Sequence, residues 1–246
     1  MLARLGSHHL PRRQGRRGVH PVSGAAQPIR VEVWSDVACP WCYIGKRNLD
    51  AATDAFAREH PETPVEVIYR SFELQPDAPE RYEGTISEYL AETRGLSEEQ
   101  VAAMLERPRA SAQQAGIEMN FEALRPAATG RAHALLHMAA GQGCQAELGE
   151  GMFRANFEEG RSLGDPEVLA DLGADAGLDR DAALAALDSA ELRARVEADK
   201  AKAQEYGIGG VPFFVIAERF GIAGAQPPEA LLQALEQVYA ERQATA

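Results

Sequence analysis

The alternation of apolar and polar positions predicts a β-strand from Ile29 to Ser35. A helical spacing of apolar residues follows over Ile44–Arg58, and then a β-branched and aromatic run between two prolines predicts a second strand from Val65 to Phe72. A strand–helix–strand unit of this kind makes its two strands parallel. The chain therefore begins its fold as an α/β protein.

From Gln75 to about Asp188 the strand signals vanish, and short amphipathic segments rich in Ala, Glu, Leu and Arg are separated by helix breakers. Asp165 followed by Pro166, and Leu178 followed by Asp179, are typical of helix starts. The predicted helices are Ser97–Ala115, Thr129–Ala140, Gln145–Glu158, Pro166–Ala176 and Asp181–Leu187.

The remaining segments return to an α/β pattern. A helix over Ser189–Tyr206 is closed by Gly207, the strand Val211–Ile216 pairs with Phe220–Ala223 as a hairpin, and a last helix has its apolar face at Leu231, Leu232, Leu235, Val238 and Tyr239. Without the helical block the order is βαβ then αββα, which is the thioredoxin order. The predicted fold class is α/β: a thioredoxin-like fold with an all-helical insertion domain.

The candidate chemistry lies between the first strand and its helix, at Cys39-Pro40-Trp41-Cys42. If Cys39 is the N-cap, Pro40 takes the first helical position, where its missing N–H costs nothing. The Cys39 sulfur then faces the free N–H groups and the positive end of the helix dipole, which favour the nucleophilic thiolate. Cys42 follows one turn later on the same face, within reach for a disulfide.

A C-x-x-C can also be half of a zinc site, and His133 and His137 supply a pair at helical spacing. They lie far downstream of the cysteines, and Pro40 and Trp41 are rigid and bulky for a zinc knuckle, so no metal is predicted. Two inert buried thiols are a further alternative. We interpret Asp36 as a turn acid, Cys144 as an apolar filler, and both histidines as packing residues; Trp34 and Tyr43 fit either core or cleft wall.

Charge and cysteine content limit the function classes. The net charge is −12, and because residues 1–30 hold six arginines and no acid, the rest of the chain carries −18. Such an acidic body argues against nucleic-acid binding. Three cysteines suit a reducing compartment, so a cytoplasmic protein is expected. The Arg-rich residues 1–28 are expected to be a disordered extension, a transit peptide being the alternative, and no apolar run is long enough for a membrane span.

Several segments in matching order resemble the DsbA-type thioredoxin superfamily, and more narrowly its cytoplasmic FrnE-like branch. They are the run Ser35–Cys42, the internal helical block, Gly210–Phe214 and Gly224-Ala225-Gln226. Domain limits that follow are 29–74 and 189–243 for the thioredoxin-like parts and 75–188 for the insertion.

The resemblance implies a thiol–disulfide oxidoreductase with no bound cofactor, in which Cys39 is the nucleophile, Cys42 resolves the mixed disulfide and Pro212 is cis. Val211 would then pair with substrate backbone, next to Pro40 and Trp41. Protein or small-molecule thiols and disulfides are the expected partners of a monomer or homodimer, with glutathione as a candidate co-substrate.

Two departures qualify the expectation. Periplasmic oxidants of this fold carry a His beside the second cysteine, whereas Trp41 offers no charge, so a reductase or isomerase is expected over a strong oxidant. The related 2-hydroxychromene-2-carboxylate isomerases and kappa-class glutathione transferases have a serine where Cys39 stands. A glutathione-dependent isomerase or transferase is therefore the alternative.

Overall fold

The computed structural model describes residues 3–4 and 27–245. A mixed sheet has the order β1-β5-β4-β2-β3, in which β2 and β3 are parallel and the other neighbours antiparallel. The strands are β1 (Ala3–Arg4), β2 (Ile29–Ser35), β3 (Val65–Ser71), β4 (Phe213–Ile216) and β5 (Phe220–Ala223). The parallel pair and the C-terminal hairpin were both predicted.

Helices dominate the rest of the described chain. They are α1 (Pro40–Glu59), α2 (Ile86–Arg94), α3 (Glu98–Gln114), α4 (Gly130–Gln142), α5 (Gln145–Phe157), α6 (Pro166–Asp175), α7 (Arg180–Ala186), α8 (Ala190–Glu205) and α9 (Pro228–Gln243). The side chains of Asp165 and Asp179 accept hydrogen bonds from the first turns of α6 and α7, as predicted. Among the described residues, no helix has both the length and the apolar character to cross a membrane.

Two predictions of local structure were wrong. Helix α2 was missed, although Thr85 and Glu88 form a reciprocal capping box at its start. The strand predicted from Val211 begins at Phe213: the Pro212 carbonyl accepts a hydrogen bond from the Gly224 amide, but Pro212 has no N–H with which to return one. The predicted extension of residues 1–28 lies outside the described residues, apart from β1 and positions 27–28.

The sheet has a buried face on each side. Ile29, Val31 and Val33 of β2 join an apolar cluster with α1 and α9, and Trp34 of the same strand joins a smaller one with Ala203 of α8. A third and larger cluster unites the helical block with the start of α1, including both cysteines of the C-x-x-C. The fold therefore places the dithiol in the core shared with the helical block.

Candidate active site

Cys39 is the N-cap of α1. Its backbone is extended (φ −96°, ψ 115°), Pro40 occupies the first helical turn, and the Cys39 carbonyl accepts hydrogen bonds from the amides of Cys42 (3.0 Å) and Tyr43 (3.3 Å). The predicted position at the helix start is confirmed. Cys39 therefore lies at the positive end of the α1 dipole, and its side chain accepts no hydrogen bond from the first turn.

The Val211–Pro212 loop lies against Cys39. The Val211–Pro212 peptide bond is cis, as the resemblance implied, and the Cys39 thiol donates to the Val211 carbonyl at 3.7 Å. Trp41 and Val211 are both partly buried and pack against the same apolar cluster as the cysteines. The structure therefore places Trp41, Val211 and Pro212 around Cys39 and Cys42.

Gly45 permits this close approach and was missed by the sequence analysis. A Cβ atom there would lie 2.9 Å from Pro212 Cγ and 3.3 Å from Phe214 Cζ, and nonbonded carbons essentially never come as close as the first of these distances. Gly45 follows Cys42 on α1, so it joins the helix to the Pro212 loop at van der Waals distance. A glycine within a helix costs stability, and that cost could have flagged a packing role.

The two cysteines have unequal environments. Cys42 is 1% exposed, and its Sγ accepts a hydrogen bond from the Asp36 amide at 3.5 Å. Burial raises the pKa of the Cys42 thiol well above its ordinary value, and the neighbouring Cys39 raises it further. Cys42 is therefore a neutral thiol at neutral pH, which leaves Cys39 as the group better placed to attack first.

Asp36 joins the turn before Cys39 to the beginning of the helical block. Its Oδ1 accepts from the Ala38 amide at 3.1 Å and its Oδ2 from the Leu74 amide at 2.8 Å. The imidazole Nε2 of His133 lies 3.5 Å from Oδ1, and both side chains are buried. The interpretation of Asp36 as a turn acid is confirmed, and its link to Leu74 is additional.

The histidine pair does not converge on the cysteines. His137 faces Ser71 Oγ (3.2 Å) and an Asp199 carboxylate oxygen (3.1 Å), so it hydrogen-bonds outside its own helical block. Among the described residues, the group close enough to hold a metal ion is Glu59, His60 and Glu236, away from the C-x-x-C.

The remaining candidates are structural. Trp34 is fully buried and donates its indole N–H to the Asp199 carbonyl at 3.0 Å. Tyr43 is buried, stacks on Phe153 and donates to Glu158 at 2.6 Å, so both aromatic residues belong to the core. Cys144 packs partly buried against the large cluster, in agreement with a filler role.

A cavity of about 230 Å³ opens beside Cys39, between the C-x-x-C and the helices α2 and α3. Pro40 and Trp41 form part of its wall, and Arg94 contributes a cation. Its apolar lining includes Leu90, Met104, Leu105, Phe121, Leu124 and Phe157. Sequence periodicity predicted α3 but missed α2, and it could not show that the two helices enclose a space next to the cysteines.

Comparison with known proteins agrees with this architecture. The family model described as the DSBA-like thioredoxin domain matches residues 30–236. The chain belongs to this family. DsbA-like proteins of this kind are thiol–disulfide oxidoreductases, so the coarse chemical class predicted from the C-x-x-C is confirmed.

The DsbA-like chain is similar to several solved structures. A probable DsbA oxidoreductase from Streptomyces coelicolor is 38% identical with a TM-score of 0.79, over 87% of this chain and 91% of that one. The cytosolic disulfide reductase DsbM from Pseudomonas aeruginosa, in a structure with glutathione, is 21% identical with a TM-score of 0.62, over 86% and 99%. A 2-hydroxychromene-2-carboxylate isomerase is 16% identical, also at 0.62, over 88% and 99%. The last two likenesses show the fold alone.

Proposed function

We propose that this DsbA-like protein is a cytoplasmic thiol–disulfide reductase or isomerase of the FrnE-like branch that acts through Cys39 and Cys42. The observation that carries the proposal is the inequality of the two thiols. Cys39 is at the helix N-cap beside the Val211–Pro212 loop, whereas Cys42 is buried one turn inside with a raised pKa. One thiol attacks, and the other is held back until a mixed disulfide has formed.

In the reductive direction, the Cys39 thiolate attacks one sulfur of a substrate disulfide, the substrate S–S bond breaks, and the leaving thiolate takes up a proton. Cys42 then loses its proton and attacks Cys39 Sγ, which releases the second substrate thiol and leaves a Cys39–Cys42 disulfide. Two electrons pass from the dithiol to the substrate. A low-molecular-weight thiol such as glutathione restores the dithiol and becomes oxidised.

The proposed direction of the reaction depends on the residue beside Cys42. Trp41 carries no charge to stabilise a thiolate, so the dithiol form gains less stability than it would next to a cation. A reduced form that is less favoured corresponds to a weaker oxidant. The potential against a glutathione redox buffer is therefore expected on the reducing side, which favours reductase or isomerase activity.

Trapping tests the proposal. Cys42→Ala should accumulate a mixed disulfide on Cys39 with substrate, whereas Cys39→Ser should accumulate none, as seen by non-reducing electrophoresis and intact mass. The wild-type protein should reduce insulin or a small model disulfide in the presence of glutathione. Absence of adducts on the Cys42 variant, together with no reduction of either disulfide, would exclude this function.

A glutathione-dependent isomerase or transferase is the second candidate, favoured by the cavity that opens directly beside Cys39. That reaction needs glutathione to bind without forming a disulfide. Saturable glutathione binding that survives Cys39→Ser, measured by calorimetry, would support it over the redox function.

A further inference from the structure

The volume of the apolar cavity beside Cys39 limits the size of the substrate group that can reach the Cys39 sulfur. Its volume of about 230 Å³ is below the roughly 300–1,000 Å³ of pockets for drug-sized ligands. The lining from Leu105, Phe121 and Phe157 is apolar. Space of this size and character suits one compact apolar group, whose burial is favoured by the hydrophobic effect.

Cys39 faces this cavity. Cys39 is only 4% exposed and Cys42 1%, yet Cys39 lines the cavity wall opposite α2 and α3. A disulfide that approaches Cys39 from this side must insert one of its arms between the C-x-x-C and the helical cover. A small molecule can do this, whereas a disulfide inside a folded protein has a backbone attached to both of its sulfurs.

Arg94 gives the cavity a charge. The Arg94 side chain is exposed and donates from Nη1 to Met104 Sδ at 3.9 Å, and within residues 27–245 no carboxylate lies at ion-pair distance from it. Arg94 lies in the last turn of α2, where its positive charge interacts favourably with the helix dipole. The other charged group on the wall, Asp36, already accepts two backbone hydrogen bonds. The Arg94 guanidinium is therefore available to pair with an anionic group of a molecule bound in the cavity.

We propose that this cavity binds a small disulfide in which one arm has a compact aromatic or branched body and a carboxylate, with the body among Leu105 and Phe121 and the carboxylate at Arg94. The proposal rests on the redox function above. Cys39 attacks the sulfur of the bound arm, and the outer arm leaves as a thiolate and is protonated. Attack by Cys42 on Cys39 Sγ then releases the bound arm as a thiol.

Three disulfides test this selectivity with the full-length reduced protein: dithiobis(nitrobenzoate), which is aromatic and anionic, dithiodipyridine, which is aromatic and neutral, and hydroxyethyl disulfide, which is small and hydrophilic. Single-turnover rate constants are divided by those of dithiothreitol with the same disulfide, because this corrects for intrinsic reactivity. The expected order of the corrected rates is anionic aromatic, then neutral aromatic, then hydrophilic.

Amino-acid substitutions test which cavity residues determine the preference for an anionic aromatic disulfide. Arg94→Gln should lower the corrected rate of the anionic aromatic disulfide by roughly 1.5- to fivefold, the range for one exposed ion pair, and leave the neutral one unchanged. Arg107→Gln, an exposed arginine of α3 outside the cavity wall, is the matched control and should change neither rate. Leu105→Glu should slow both aromatic disulfides by at least about tenfold and spare the hydrophilic one, because it places a carboxylate in the apolar space.

A binding measurement covers the case in which Leu105→Glu does not fold. Naphthoate should protect wild-type Cys39 from iodoacetamide better than the neutral naphthamide, and Arg94→Gln should remove that difference. The proposal is overturned if the corrected rates show no preference for aromatic arms, or if neither naphthalene compound protects Cys39. Reaction of Cys39 with hydroxyethyl disulfide in that case leaves the redox function standing, whereas no reaction with any disulfide overturns both.

Discussion

The two large apolar cores of this protein differ in what they contain. The core between the sheet, α1 and α9 is built from aliphatic and aromatic side chains, with Phe56, Phe214 and Leu235 fully buried. The core shared by the helical block and the start of α1 contains Cys39 and Cys42 and borders the cavity. Helix α1 contributes to both. One end of α1 therefore contributes to the stability of the fold, and the other end holds the candidate redox cysteines.

The largest expected effect is a loss of stability when a buried aromatic side chain is removed from either core. Phe56→Ala should lower the free energy of unfolding by about 3–5 kcal/mol, because it empties a fully buried site against Tyr239. Phe157→Ala, buried to the same extent but on the cavity wall, should cost a similar amount. Urea titration measures both losses.

The difference between these two variants should appear in the reactivity of Cys39. Alkylation of the folded protein by iodoacetamide should be unchanged in Phe56→Ala and altered in Phe157→Ala. An equal change in the rate of Cys39 alkylation in both variants would contradict the assignment of stability to one core and of reactivity to the other.

The next prediction concerns the opposite face of the sheet. Glu32 is 1% exposed and accepts hydrogen bonds from Arg70 (2.9 Å) and Lys202 (2.8 Å). Burial alone would raise the pKa of Glu32, but the bonds from Lys202 and Arg70 outweigh it and lower the pKa below its ordinary value of 4.5. A depressed carboxyl pKa adds stability above the unfolded-state pKa, and that stability is lost as the pH falls through the folded-state pKa.

Glu32→Gln should therefore cost about 1.5–3 kcal/mol at pH 7, the range for hydrogen bonds to a charged group. The difference from wild type should shrink as the pH falls below the ordinary carboxyl pKa. Urea unfolding across a pH series measures it, with Glu66→Gln, an exposed residue of β3, as control. A difference that stays constant down to strongly acidic pH would show that the loss is not electrostatic.

A smaller effect is expected where α1 touches the Pro212 loop. Gly45→Ala puts a methyl group 2.9 Å from Pro212 Cγ, so we expect a loss of about 1–3 kcal/mol and a several-fold change in the rate of Cys39 alkylation. Gly149→Ala is the matched control, since its new methyl group would meet only Leu136 Cδ2 at 3.8 Å. Unchanged Cys39 reactivity in Gly45→Ala would show that the loop position does not matter.

The smallest effect concerns redox poise. Trp41→His should make the disulfide more oxidising by tens of millivolts, where about 30 mV corresponds to about 1.4 kcal/mol for this two-electron couple. Trp41→Phe keeps an uncharged ring and should leave the potential nearly unchanged. Equilibration with glutathione buffers and mass analysis of the alkylated forms measures the potential; a shift of the same size in both variants would argue against a charge effect.

Local signals were enough to predict the strands and the start of α1 from the sequence. The alternation in Ile29–Ser35, the β-branched run after Pro64 and the helix start at Cys39-Pro40 depend on neighbouring residues, and the structure agrees with each. The capping box at Thr85 shows that even the missed helix α2 had a local signal.

The features that sequence reasoning could not supply depend on residues distant in the chain. Glu32 alternates like a solvent-facing residue, yet Lys202 from α8 covers and neutralises it. Gly45 matters because of Pro212, and Arg94 because of the space next to Cys39. These contacts cannot be predicted from the spacing of residues in the sequence, because they form only when distant parts of the chain come together in the fold.

The burial of Cys39 affects its reaction with covalent labels. Cys39 is 4% exposed and faces a cavity of about 230 Å³. We therefore expect the size of an electrophile to limit its reaction with this thiol more than its intrinsic reactivity does. Proteome-wide surveys that use large tagged reagents would record this cysteine as unreactive, whereas compact fragments would modify it readily. Fragment-sized electrophiles with an acidic group are therefore the starting point for a selective chemical probe of this protein.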